Sequence, residues 1–450
     1  MINIAVELSK YVILTLMVIY TFYCLFLTYR QRSTDQEPIL KQFILIFLID
    51  TVSFGVIYLK TRDFQVIFLY VEMMVFFSAF QLLYRILYRK ASLLLINNMC
   101  LLLSVGLIML TRLDISSAMK QLAIAAAGSG ISLVIPAAIR RMKFLRRLTW
   151  LYALTGVLLL LAVLVLARTS YGAKLTLWGA QPSEAIKITF VFFMASILYK
   201  RVTRAKVIAA TIVAALHVGI LVVSRDLGSA LIFFVAYLIL IFAATRKFWL
   251  FLLGAAGGAG ASVAAYHLFG HVRERVSAFL DPMAVYQNEG YQIVQSLFAI
   301  GTGGWFGMGL CQGSPQKIPV VKNDFIFSAI CEEMGGIFGI CLILVCMTFF
   351  LMIVNISLKI RSTFYKLIAL GLGTEYAVQV FLTIGGVTKF IPMTGVTLPL
   401  VAYGGSSVIS TIIMLSIIQG LYILREDEDE EIERIRREDP GFSGGTYREY

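Results

Sequence analysis

The sequence predicts an all-α polytopic membrane protein, and three observations carry that prediction. Hydrophobic residues fill 59% of the 450 positions and charged residues only 14%, against about 25% charged in a soluble domain. The mean hydropathy is +0.85, and the apolar residues fall in runs close to the ~20 residues that cross a bilayer as a helix. The charges gather in short clusters between those runs, as they do in membrane-protein loops.

Taken in order, the apolar runs lie near 11–29, 42–59, 64–83, 92–110, 118–139, 147–166, 183–199, 206–223, 227–244, 247–268, 325–354, 364–386 and 396–423, thirteen candidate spans in all. The first ends in Arg30 and Arg32 without a small-residue cleavage site, so it reads as a retained span and not a signal peptide. Lys and Arg cluster in alternate connections: Arg30, Arg32 and Lys41; Arg85, Arg89 and Lys90; Arg140, Arg141, Lys143, Arg146 and Arg147; Lys200, Arg201, Arg204 and Lys206; Arg246 and Lys247; Lys359, Arg361 and Lys366. The positive-inside rule then places the N-terminus outside and the C-terminus in the cytoplasm. The net charge of +13 is spread over these clusters and forms no continuous basic stripe, so no nucleic-acid partner is expected. None of the six cysteines forms a C-x-x-C pair, which argues against a disulfide framework or zinc site. The connection 269–324 is too long for a simple loop, and its Phe279, Leu297, Phe298, Trp305 and Phe306 predict an ordered segment lying on the outer membrane surface. From Arg425 the tail is a charged, solvated segment with helical i,i+4 spacing.

Ionisable residues within spans cost about 2.5–3.5 kcal/mol near the bilayer centre, so each needs a partner or a task. Glu184 and Lys187 follow Pro182, which suits a first helical turn. Their i,i+3 spacing allows a structural pair, and a substrate contact is equally open. Asp226, after Arg225, is placed to cap the next run. Asp324 stands where the long loop meets a span, a capping position, while Glu332 and Glu333 lie two turns further in, with no such simple account. Arg273 and Arg275 suit either lipid headgroups or a phosphate held by a guanidinium fork. Glu375 and Gln379, at i,i+4, read as interhelical glue. The stretch TLPLVAYGGSS from Thr397 to Ser407 reads as a tightly packed helix or as a broken one with N–H groups facing an anionic lipid head. His267, His271 and Glu274 lack an H-E-x-x-H context, and the glycines at 301–309 lack the strand and G-K-[ST] of a phosphate loop, so neither a metal nor a nucleotide site is expected there. Apart from Glu375 and Gln379, these residues map to the outer side. The runs starting at 183, 227, 325 and 396 all pass inward, so four positive helix ends face outward together, an arrangement suited to an anionic lipid-linked substrate.

Six stretches, in order, resemble the SEDS family (FtsW, RodA and SpoVE): WGAQPSEAIK at 178–187, SRDLGSALIFF at 224–234, RVSAFLDP at 275–282, EGYQIVQSLFAIGTGGWFGMGL at 289–310, NDFIFSAICEEMGGIFG at 323–339 and PMTGVTLPLVAYGGSS at 392–407. The resemblance divides the chain into an N-terminal extension of three spans (1–90), a ten-span core (91–424) with its outer loop 269–324, and a charged tail (425–450). It implies a peptidoglycan glycan-strand polymerase in the bacterial cytoplasmic membrane, serving elongation, division or sporulation. The chemistry implied is transfer of a glycan from undecaprenyl pyrophosphate onto lipid II. It places the essential carboxylate on Asp324, the cavity pair on Glu184 and Lys187, and an arginine on Arg275. Asp226, Glu332, Glu333, Thr394, Tyr403, Ser406 and Ser407 complete the expected substrate-binding set. The sequence departs from the family pattern at Lys322 and Asn323, at Thr394 and at Ala402. A class B penicillin-binding protein is the implied partner, with membrane lipids around both. A divalent cation, Mg or Mn, is admitted by this chemistry, though no protein cage for one is visible. A lipid II flippase or a non-catalytic scaffold for the transpeptidase are the alternatives.

Overall fold

The computed structural model describes residues 2–30, 36–170, 173–176, 180–287 and 290–438. Arg32, Trp178 and Gly179 of the 178–187 stretch, Glu289, and the tail beyond Glu438 lie outside them. The described residues form α1 (Ile2–Arg30), α2 (Gln36–Thr61), α3 (Phe64–Leu87), α4 (Leu93–Leu113), α5 (Ile115–Ser132), α6 (Ile135–Arg141) and α7 (Thr149–Leu166). After a short antiparallel pair, Arg168–Ser170 with Ala173–Thr176, come α8 (Pro182–Leu198), α9 (Arg204–Val223), α10 (Leu227–Thr245) and α11 (Phe248–Leu268). The long loop holds α12 (Gly270–Leu280) and α13 (Gly290–Gly303), and the chain ends with α14 (Ile326–Met334), α15 (Gly336–Lys359), α16 (Thr363–Val387) and α17 (Gly405–Glu438).

Among the described residues twelve helices are long and apolar enough to cross a membrane, one fewer than the sequence reading. The difference is α8, whose 17 residues rise only about 26 Å. Nearly every α8 side chain from Ser183 to Leu198 is buried against protein, so the helix need not match the full apolar thickness by itself. Three boundaries also move. The run 118–139 breaks after Ser132, with Pro136 opening α6. The run 325–354 is two helices, because Gly335 at φ +94° interrupts it. The last helix begins at Gly405, not at 396, and residues 388–404 cross the end of the bundle as irregular chain.

Side-chain caps define several starts. Asp63 accepts from Gln65 N at 2.9 Å, Thr203 from Lys206 N at 3.4 Å and Asp226 from Ser229 N at 3.1 Å; each satisfies an N–H that a helix leaves orphaned. The extension is docked, not appended. α1 packs on α2 and α15, and α2 packs on α4. Tyr20 Oη donates to Asn98 Oδ1 at 2.8 Å, Asn97 Nδ2 donates to Ile39 O at 2.9 Å, and Ser104 bonds Asp50. Such bonds between apolar helices fix register where hydrophobicity alone does not discriminate. The two ends of the bundle differ. At one, Asp427 of α17 pairs with Lys90 at 2.7 Å and Arg140 at 2.6 Å. At the other, Lys10 Nζ reaches Gly307 O at 3.4 Å, and the irregular 388–404 chain meets the long loop.

Candidate active site

The site is assembled at the end of the bundle where residues 388–404 turn back. Lys389 and Leu400 adopt positive φ (56° and 66°), which side chains rarely take, so the strap is held there by its surroundings, while Gly395 at φ 72° takes such a conformation freely. Gly106 of α4 makes room for it, because a Cβ there would collide with Val401 O. Gln121 of α5 grips it from one side, donating to Ala402 O at 2.9 Å and accepting from Gly404 N at 3.3 Å. Arg275 of α12 grips it from the other, Nη1 donating to Thr394 O at 3.0 Å.

Asp324 lies in the turn before α14, and that turn is stitched to the same strap. Tyr403 N donates to Lys322 O at 2.8 Å, and Asn323 Nδ2 donates to Tyr403 O at 2.8 Å. A Cβ on Gly395 would stand 3.7 Å from Asp324 Oδ2, which places the carboxylate over the glycine of the strap. Burial pushes the Asp324 carboxyl up to about 6, with the Arg275 cation pulling the other way. The group is thus largely ionised at neutral pH yet more basic than an ordinary aspartate, the condition a general base requires.

A second cluster lies under the strap. Glu184 and Lys187 pair at 2.8 Å, each only 6% exposed. Lys187 Nζ donates to Gln379 Oε1 at 2.6 Å, and Ser410 Oγ donates to Glu184 Oε2 at 2.8 Å. Gln379 Nε2 continues to Thr397 O at 3.0 Å and Ser407 Oγ at 3.3 Å, and Gln181 N donates to Ser406 Oγ at 2.9 Å. Asp226 accepts from Ser183 Oγ at 3.3 Å as well as capping α10. Gln379, read from sequence as glue, is the hub of this network; Glu375 beside it is 2% exposed, with Oε1 unpartnered.

Glu332 and Glu333 do something else. Glu333 pairs with Arg112 Nε at 3.1 Å and accepts from Cys311 N at 3.1 Å, and Glu332 accepts from Ser314 N at 2.9 Å. Their side chains pin the 311–314 turn of the long loop. The expected set therefore separates into three groups: Asp324, Arg275, Thr394 and Tyr403 at the strap; Glu184, Lys187, Asp226, Ser406 and Ser407 beneath it; and Glu332 with Glu333 at the loop. Arg273 points outward and is exposed. Among the described residues no group of three or more His, Cys, Asp or Glu converges as a metal site, His267, His271 and Glu274 included. Asp114 and Gln121, which hold both segments around Asp324, were not singled out in the sequence; their spacing of seven on one helix face was the available signal.

Comparison with known proteins agrees with this arrangement. The family model for FtsW, RodA and SpoVE, described as "Cell cycle protein", matches residues 90–426, about three quarters of the chain. A peptidoglycan glycosyltransferase RodA of Mycobacterium bovis is 37% identical over 268 residues, covering 55% of this chain and 57% of that protein, so the match spans little more than half of that relative. Stage V sporulation protein E of Bacillus subtilis is 34% identical over 239 residues, covering 50% and 64%. A solved structure described as "Structural coordination of polymerization and crosslinking by a peptidoglycan synthase complex" superposes with a TM-score of 0.62 at 24% identity, covering 73% of this chain and 96% of that one. Thermus thermophilus RodA superposes at 0.55 with 23% identity, covering 73% and 95%. The family match, the shared fold and the clustering of the matching stretches around one strap together show that the chain belongs to the FtsW/RodA/SpoVE (SEDS) family.

Proposed function

We propose that this protein polymerises peptidoglycan glycan strands at the outer face of the bacterial cytoplasmic membrane, transferring a glycan from its undecaprenyl pyrophosphate onto lipid II. The observation that carries the reading is Asp324, a carboxylate raised to about 6 by burial and set beside Arg275 over the glycine of a fixed strap. The name of the Mycobacterium bovis relative, peptidoglycan glycosyltransferase, supports the same reaction class. Asp324 takes the proton from the acceptor 4-hydroxyl of lipid II. That oxygen bonds to the donor C1 as the C1–O bond to pyrophosphate breaks, and the electron pair leaves with the pyrophosphate. A positioned general base contributes about 10²–10⁴-fold. Arg275 keeps guanidinium N–H groups beyond its bond to Thr394 O for the developing charge on the leaving group. Lys187 lies in a closed ion-pair network and acts by holding the strap and α16 in register. Among the described residues no group of three or more His, Cys, Asp or Glu gathers as a cage for a divalent cation, and the step is written through this chain's own side chains.

The basic clusters around Lys90 and Arg140 face the cytoplasm in this reading, which puts the strap, Asp324 and the N-terminus outside and the C-terminus inside. A class B penicillin-binding protein is the expected partner; the superposed peptidoglycan synthase complex, described by polymerisation and crosslinking together, supports a joint machine. The test is polymerisation of lipid II by purified wild type and by Asp324→Asn, each with and without a transpeptidase. Loss of polymer in Asp324→Asn is expected, and undiminished polymer refutes the assignment. Translocation of lipid II in vesicles by a wild type that makes no polymer would support a transporter.

A further inference from the structure

Lys322 carries its ammonium two residues before Asp324, on the same turn. Its backbone is fixed by the bond from Tyr403 N to Lys322 O. Its side chain is drawn aside: Nζ lies 2.6 Å from Asp114 Oδ2 and 3.4 Å from Ser117 Oγ. Asp114 is itself held in place, accepting from Ser117 Oγ at 2.6 Å, Ser116 Oγ at 2.8 Å and Ser116 N at 3.2 Å as the cap of α5. Charged groups stand on every element around Asp324: Arg273, Glu274 and Arg275 on α12 beside His271, Lys389 on the strap, Lys120 on α5, Glu332 and Glu333 on α14, Lys322 on its own turn, and Asp114 at the start of α5. Of these cations, Arg275 acts on the Asp324 carboxylate, whereas Lys322 is engaged with Asp114.

We infer that Asp114 is a positioning residue for Asp324, holding the Lys322 ammonium away from the carboxylate that serves as base. This rests on the reading of Asp324 given above. Stability does not explain the pair. Both side chains are about a third exposed, 34% and 32%, and exposed pairs contribute only about 0.2–1 kcal/mol. The hydrogen bond from Lys322, then those from Ser117 and Ser116, hold the Asp114 carboxyl well below the usual range. Asp114 therefore stays ionised through the pH at which Asp324 titrates. Freed, the Lys322 ammonium would pair with Asp324; an opposite charge within about 4–6 Å lowers a carboxylate by roughly 1–3 pKa units and weakens it as a base.

The test is the pH–rate profile of lipid II polymerisation for wild type, Asp114→Asn, Lys322→Gln, the double variant and Asp324→Asn, all prepared alike. Asn retains the cap, so Asp114→Asn is expected to fold. Its acid limb should move down by about one unit or more and its kcat fall roughly tenfold, while the double variant recovers both. Lys322→Gln alone should keep its acid limb near the wild-type value and its rate within about threefold, and it decides the question if Asp114→Asn does not fold. Equal losses in single and double variants with no movement of the acid limb overturn the inference, as does a loss above tenfold in Lys322→Gln. If Asp324→Asn polymerises like wild type, the reading of the base fails and the inference with it. A dead Asp324→Asn beside a wild-type-like Asp114→Asn defeats the inference alone.

Discussion

Replacing Asp324 with asparagine separates a catalytic from a structural role, because the two make opposite predictions for stability. Burial lifts the Asp324 carboxyl from an ordinary value of 3.8 to about 6. Each pKa unit is worth about 1.4 kcal/mol, so the ionised carboxylate costs the folded state up to about 3 kcal/mol. The folded value lies above the unfolded one. The cost is therefore absent below the unfolded pKa, grows between roughly pH 4 and 6, and is complete above the folded value. Asparagine resembles the neutral acid at every pH. Asp324→Asn should accordingly unfold at a temperature a few degrees higher than wild type at pH 7.5, with the gap closing towards pH 4, while making no polymer. Apparent Tm in detergent across this range, at one scan rate, is the measurement. A variant less stable than wild type at pH 7.5, or a gap that does not narrow in acid, would refute the argument that burial strains this carboxylate for use.

Three further outcomes are expected. Arg275→Met removes the cation that opposes the burial of Asp324, so the acid limb of polymerisation should rise above 6; an unmoved limb would show that Arg275 does not act on the base. Lys187→Met leaves Glu184 buried without its counterion and should cost about 3–5 kcal/mol, with Lys187→Met/Glu184→Met losing clearly less. Comparable Tm losses in both would mean that the pair is not coupled. Gly106→Val drives a side chain into Val401 O; it should cost about 1–3 kcal/mol and abolish polymerisation through the strap, so wild-type values for both would contradict the close approach of α4.

Composition and pattern determined the membrane class, nearly all the spans and the gathering of polar residues at one end. Those properties depend on local hydropathy and on charge placement, which are written along the chain. Hydropathy cannot say what an apolar helix faces. α4 and α11 both read as spans, yet 94% of the span window of α4 is buried in protein and 0% of that of α11, because lipid and a protein interior are equally apolar surroundings. Capping chemistry pointed to Asp226 and to Pro182, whereas the break at Gly335 packs against the 304–307 turn, and the irregular strap at 388–404 needed contacts from α4, α5 and α12 to hold Lys389 and Leu400 at positive φ. The local pair of Glu184 with Lys187 was legible from its i,i+3 spacing, but the distant partners of the charged residues were decided only by folding. Glu332 and Glu333 went to the loop and Lys187 to Gln379. Lys322 went to Asp114, 208 positions away, and a pairing over that distance depends on geometry that no local pattern encodes.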